Sequence, residues 1–196
     1  MIAYLKGTLT YKSPTYVYVD CNGVGYHVNI SLNTYSLLEP LAKAKVYTYM
    51  HVTETSQSLY GFADEEEKQI FTLLISVSGV GPNTGRVILS YMTKEEVKSA
   101  VVHGNVAALN KVKGIGPKTA QRIILDLKDK MMKVAGDQPI IDDSQSNTVR
   151  DEALSALLAL GFPKASVEKH IKSITNSQPD VNTVEDLIKR VLKEMR

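Results

Sequence analysis

The sequence predicts an α+β, multidomain chain: a small N-terminal β-barrel, an all-helical middle and a three-helix tail within 196 residues. Three observations carry that prediction. Residues 1–63 are rich in β-branched and aromatic side chains that alternate with period two. From Asp64 onward the apolar residues fall three and four apart instead. Between the middle and the tail, residues 134–147 carry Gly136, Pro139, three acids and a Ser/Gln/Asn run, a linker composition.

In the first part, Tyr16-Val17-Tyr18-Val19 and Val24 to Ile30 read as strands joined by a turn at Cys21-Asn22-Gly23. Val46 to Val52 alternates, and Ser58-Leu59-Tyr60-Gly61-Phe62 closes the sheet. Five or so short strands in about 60 residues resemble an OB-fold barrel. Tyrosines 16, 18, 26, 47 and 49 are candidates for core and cross-strand packing, with base stacking as the alternative.

The helical middle, residues 64–133, opens at Asp64, with Glu67 three positions later in capping-box register. Ile70, Phe71, Leu73, Leu74 and Val77 then form an apolar stripe. Thr93-Lys94-Glu95-Glu96 is a second capping box and starts a helix through Val102. Lys68 to Val77 and Val101 to Val112 read as the helical segments that precede two near-identical turns.

Those turns are the most informative feature. Gly79-Val80-Gly81-Pro82-Asn83-Thr84 recurs 35 residues later as Gly114-Ile115-Gly116-Pro117-Lys118-Thr119, each copy followed by an apolar run. A glycine turn opening a helix presents unpaired backbone N–H groups to an anion. Two such turns at fixed separation suit a polymer of phosphates better than one small ligand. Neither copy is a P-loop, because Thr84 and Thr119 stand five positions on, where Gly-Lys is required. The same threonines displace the third glycine of a dinucleotide fingerprint, and helices rather than strands precede both turns. The alternative is a pair of ordinary glycine-capped hairpins.

Gly-Val/Ile-Gly-Pro-x-Thr between helices resembles the helix–hairpin–helix motif of sequence-nonspecific DNA-binding proteins. The resemblance implies backbone-phosphate contacts at Gly79, Val80, Gly81 and Thr84, and at Gly114, Ile115, Gly116, Lys118 and Thr119. Asn83, which stands where the second copy has Lys118, is a candidate contact as well, but without the charge the first copy is expected to hold phosphate less strongly. Charge supports the second copy. Residues 64–136 hold eleven Lys/Arg against eight Asp/Glu, and 111–133 hold seven bases against two acids, with Arg122 among these bases a further candidate backbone-phosphate contact. A local basic patch is the electrostatic footprint of nucleic acid, with a solvated helix face as the alternative.

The tail, residues 148–196, reads as helices over Asp151–Leu160, Ala165–Ile174 and Thr183–Met195, the first broken by Gly161-Phe162-Pro163. Ala-Leu-Gly-Phe between the first two resembles the ubiquitin-associated three-helix fold. With 43% hydrophobic residues the chain can bury a core, and no apolar run approaches the ~20 residues of a membrane span. The start, Met1-Ile2-Ala3-Tyr4-Leu5-Lys6, lacks a charged leader and apolar run, and Cys21 is the lone cysteine, so a cytoplasmic setting is expected. His27, His51, His103 and His170 have no metal-ligand spacing, and no nucleophile motif is present. No catalytic residue, metal or cofactor is expected.

The order of barrel, tandem hairpins, acidic linker and tail, with Met1 to Gly7, Val24-Gly25-Tyr26 and Leu59-Tyr60-Gly61-Phe62, closely resembles the RuvA family across all 196 residues. Those proteins are the Holliday-junction-binding subunits of the bacterial branch-migration machine. The resemblance implies a homotetramer built through the first two domains, and an octamer where two tetramers sandwich a four-way DNA junction. It implies an acidic pin on the loop Thr53-Glu54-Thr55-Ser56-Gln57, here with Glu54 followed by Thr55 where members commonly carry two acids. It implies that the tail binds the RuvB ATPase, with Leu160 and Phe162 as candidate contacts, and that the RuvC resolvase joins a larger complex. A general duplex-binding repair scaffold built on the same hairpins is the alternative function.

Overall fold

The computed structural model describes residues 1–136, 145–177 and 183–195. Their contacts divide the chain into two compact units, Met1–Gln138 and Pro139–Arg196. The first unit begins with strands β1 (Tyr4–Ser13), β2 (Tyr16–Cys21) and β3 (Val24–Ile30), then helix α1 (Leu32–Leu38), β4 (Lys43–Val52) and β5 (Gln57–Phe62). The five strands close in the order β1-β2-β3-β5-β4, antiparallel except for the β3–β5 pair. Period-two alternation turns Leu5, Leu9, Val17, Val19, Val28, Ile30 and Val46 inward, where with Leu38 they form the barrel core. Gly61 is required by that core: a Cβ there would stand 2.5 Å from Val28 Cγ1 and 2.7 Å from Val46 Cγ1.

Helices α2 (Glu65–Ile75), α3 (Pro82–Tyr91), α4 (Lys94–Val102), α5 (Val106–Asn110) and α6 (Pro117–Gly136) follow. Both expected helix starts are present. Asp64 accepts from the Glu67 N–H at 2.8 Å, and Thr93 with Glu96 forms the full reciprocal capping box. Glu67 does not return to the Asp64 amide as a capping box would. Its carboxylate is buried, and accepts from Ser31 Oγ and Thr34 Oγ1 at 2.8 Å and from the Ala63 N–H at 3.1 Å. Those partners belong to the barrel, so Glu67 joins the two parts of the unit. Phe62 at the end of β5 is buried in the helical core, with Tyr47, Tyr49 and Tyr60 packed against it.

Two readings of the sequence change here. Helix α1 was not foreseen; Ser31 caps it by accepting from the Thr34 N–H. Asn33 in turn donates to the Leu89 and Met92 carbonyls at 2.7 and 3.0 Å, satisfying the C-terminal end of α3. The stretch Val101–Val112 is not continuous helix. At Gly104 (φ +70) α4 ends in a Schellman pattern, Asn105 N–H to Ala100 O and Gly104 N–H to Val101 O, and α5 restarts on an Asn105 cap.

The second unit packs α7 (Gln145–Ala159), α8 (Lys164–Ser177) and α9 (Val184–Glu194) around Ala153, Leu157, Val167, Ile171, Ile174, Leu187 and Val191. Gly161 (φ +91) ends α7 in another Schellman pattern, with Phe162 N–H to Leu157 O at 3.2 Å. Of the expected linker 134–147, residues 134–136 lie in α6 and 145–147 in α7, while 137–144 lie outside the described residues.

Candidate nucleic-acid interface

The two glycine turns repeat in structure as well as in sequence. In the first, the Val80 N–H bonds to Val77 O at 3.0 Å and the Gly85 N–H to Gly81 O at 2.9 Å. In the second, Ile115 bonds to Val112 O at 3.0 Å and Ala120 to Gly116 O at 2.9 Å. Gly79 and Gly114 hold φ of +92° and +91°, a left-handed conformation that glycine adopts without the Cβ penalty. The following Val80 and Ile115 are buried and anchor each turn to the shared helical core. Their amides are thus engaged in closing the turn.

What each turn leaves outward is the start of a helix. Gly81 caps α3 in extended conformation with no side-chain bond, and Pro82 occupies the first helical position without an N–H. The amides of Asn83 and Thr84, and by the same register those of Lys118 and Thr119, sit in the first turn where no intrahelical acceptor exists. The dipole adds partial positive charge at the same point.

The side chains differ between copies. Asn83 Oδ1 accepts from Arg86 Nη2 at 2.8 Å, and Arg86 Nη1 donates to the Thr15 carbonyl at 3.0 Å, so the first copy is tied to the barrel. Lys118 is exposed and forms no ion pair among the described residues; the same holds for Lys111, Lys113, Lys128 and Lys130. Arg122 Nη1 donates to the Ser78 carbonyl at 3.3 Å, reaching from α6 to the turn that precedes Gly79. Sequence reasoning missed Arg86 and gave Arg122 a phosphate contact alone, because both bond to backbone carbonyls far away in the chain.

Acids at the start of α2 are paired with lysines of α4. Lys94 bonds to Asp64 and Glu66 at 2.8 Å each, and Lys98 to Glu66 at 2.9 Å, fastening α4 to the start of α2. Hydrogen bonds from Lys94 and Lys98 hold the Glu66 carboxyl below its usual range. Burial pulls the Lys94 ammonium down, and its bonds to Asp64 and Glu66 more than reverse this, leaving it above the lysine range. Burial dominates at Glu67 and raises its pKa, against the opposing bonds from Thr34, Ser31 and Ala63.

The β4–β5 loop is a tight turn. The Thr53 N–H donates to Ser56 O at 2.8 Å, and the two hydroxyls lie 2.8 Å apart, leaving Glu54 and Thr55 exposed at the tip. In the second unit Leu160 is 63% exposed, whereas Phe162 packs against the three-helix core.

These features define a tandem helix–hairpin–helix protein with a closed barrel before the hairpins and a helical unit after them. Residues 1–61 match the family model for the RuvA N terminal domain, 71–129 a SAM-like helix-hairpin-helix tandem, and 148–196 the RuvA C-terminal domain. The chain is 51% identical over 195 residues to a protein of Christiangramia forsetii, with all of both chains covered. It is equally similar, 51% over 195 residues, to one of Flavobacterium psychrophilum, and 47% identical over 197 residues to one of Cytophaga hutchinsonii. The last pair covers 98% of this chain and 99% of the relative. All three relatives are named Holliday junction branch migration complex subunit RuvA. The chain belongs to the RuvA family.

Proposed function

We propose that this chain is the junction-binding subunit of a branch-migration complex in recombination and repair. It holds Holliday junctions of any sequence and recruits and stimulates a RuvB motor that hydrolyses the ATP. The observation that carries the reading is the pair of hairpins with matched hydrogen bonds and matched left-handed glycines, both seated on one core. Two fixed clamps engage phosphates, and phosphate contacts position DNA without reading its bases.

Gly79, Gly81, Asn83 and Thr84 form the first clamp and Gly114, Gly116, Lys118 and Thr119 the second. Val80 and Ile115 act by anchoring and closing the turns. Arg122 adds charge beside the second clamp while bracing the first. Glu54 and Thr55, at the tip of a hydrogen-bonded turn, form the pin: the Glu54 carboxylates of four such loops in a tetramer repel the backbones at the crossover. A tetramer, or an octamer around the DNA, presents the hairpins to all four arms, and RuvC acts on the same assembly. Leu160 is the better-placed motor contact, because Phe162 is already committed to its own core. Residues 1–63, 64–133 and 148–196 divide these tasks. No described helix is long and apolar enough to cross a membrane, and we place the protein with its DNA in the cytoplasm.

The asymmetry of the clamps supplies the test. Lys118→Gln is expected to weaken four-way-junction binding about tenfold, with a lower salt dependence, and Asn83→Ala by no more than about twofold. Equal losses measured by fluorescence anisotropy would contradict the assignment.

A further inference from the structure

The outer face of the barrel carries a second arrangement that the hairpins do not use. On β1 and β4, Lys6 stands directly opposite Lys45, and Lys43 opposite Thr8. The three lysines rim a groove of about 500 Å3, with Asp20 and Asn22 on its far side. Like charges facing each other across adjacent strands destabilise a sheet. None of the three ammonium groups has a carboxylate partner among the described residues. Lys45 instead lies 4.4 Å from the ring centroids of both Tyr4 and Tyr47. The groove's carboxylate, Asp20, accepts from the Gly23 N–H at 3.1 Å.

Further along the same face the side chains are aromatic. Tyr11 pairs with Tyr18, and Tyr18 with His27 on the next strand. Ring centroids lie 5.5 Å apart for Tyr11–Tyr16, 5.3 Å for Tyr11–Tyr18 and 4.7 Å for Tyr16–His27. Tyr11 and Tyr18 remain 47% and 40% exposed. Lys6 and Tyr11 are about 17 Å apart along β1. The aromatic end adjoins the first hairpin, since the Thr15 carbonyl next to Tyr16 accepts from Arg86, which also holds Asn83.

Single-strand binding without sequence preference combines cations that follow the phosphates with rings on which bases stack. A duplex would leave the rings without a ligand, and an apolar protein partner would bury the lysines unpaired. We propose that this face binds an unpaired DNA strand, with phosphates on Lys6, Lys43 and Lys45 and bases on the Tyr11–Tyr16–Tyr18 array. The site goes beyond the duplex-backbone reading of the hairpins and stands or falls separately from it.

The test is a titration of the full chain with a fluorescein-labelled oligothymidylate of about twelve nucleotides, beside the same titration with a four-way junction. Tyr16→Thr/Tyr18→Thr keeps strand-forming residues and is expected to lose about tenfold or more for the oligonucleotide. Lys6→Gln/Lys45→Gln is expected to weaken the same complex and to lower its logarithmic salt slope by about 1.4. Both variants should keep junction affinity within about twofold, and Lys118→Gln should do the reverse. If the tyrosine pair misfolds, the lysine pair decides. Failure of the wild-type chain to bind the oligonucleotide, or unchanged binding by the folded variants, would overturn the proposal. So would a changed oligomeric state in either variant on gel filtration, which would assign the face to protein contact.

Discussion

Gly79 and Gly114 occupy the same left-handed conformation 35 residues apart, and open space surrounds the Cβ that either would carry as alanine. Strain rather than collision is therefore what a substitution would introduce. Gly114→Ala is expected to lower stability by about 1–2 kcal/mol, read by urea unfolding, and to weaken junction binding beyond that loss. These glycines, Pro82, Pro117 and Lys118 were legible because the motif repeats in the sequence itself. Arg86 and Arg122 were not. Their partners are the carbonyls of Thr15 and Ser78, 71 and 44 residues away, and a backbone acceptor leaves no mark in a sequence. The packing of the tyrosines was legible, their face only in part. Tyr47 and Tyr49 pack against the helical core and Tyr26 against the barrel core, while Tyr16 and Tyr18 pack across strands with Tyr11 and His27 on the barrel's outer face, a position the sequence did not specify.

At the scale of elements, the acidic run from Asp64 looked like a charged helix start and is also a staple between α2 and α4. Because Glu66 has a lowered folded pKa, its contribution is present above the ordinary carboxylate range and is lost as pH falls through that lowered value. Wild type should therefore melt a few degrees above Glu66→Gln near neutral pH, and the gap should close in acid. Glu67 works with the opposite sign. Its raised pKa makes its contribution fullest below the ordinary carboxylate range and smaller as pH rises through the folded value. Melting curves of both proteins across pH check the first statement directly. The helix α1 escaped the sequence reading because Leu32–Leu38 is only two turns long, too short for periodicity to separate from strand. Its cap, Ser31 three residues before Thr34, was the available signal.

For the whole molecule, the two compact units suggest a division of labour between DNA and motor. A chain truncated after Gly136 is expected to retain four-way-junction affinity within about threefold and to lose stimulation of the RuvB ATPase. Retained stimulation would move the motor contact into the first unit. The order of barrel, hairpins and tail was legible because the hydrophobic period changes abruptly at Asp64 and a linker composition separates the helical middle from the tail. The polar joints between barrel and helices, Glu67 to Ser31 and Asn33 to Leu89, were not, since they pair residues that lie far apart in the chain.

Paired hairpins assembled in this way are expected to hold a junction rather than DNA in general. Competition between a four-way junction and a linear duplex of equal length and composition tests it most directly, at a salt concentration where phosphate contacts are neither saturated nor screened. The junction is expected to outcompete the duplex by about a hundredfold or more, whatever the sequence of its arms. Parity between the two would contradict it and leave a general duplex-binding scaffold in its place.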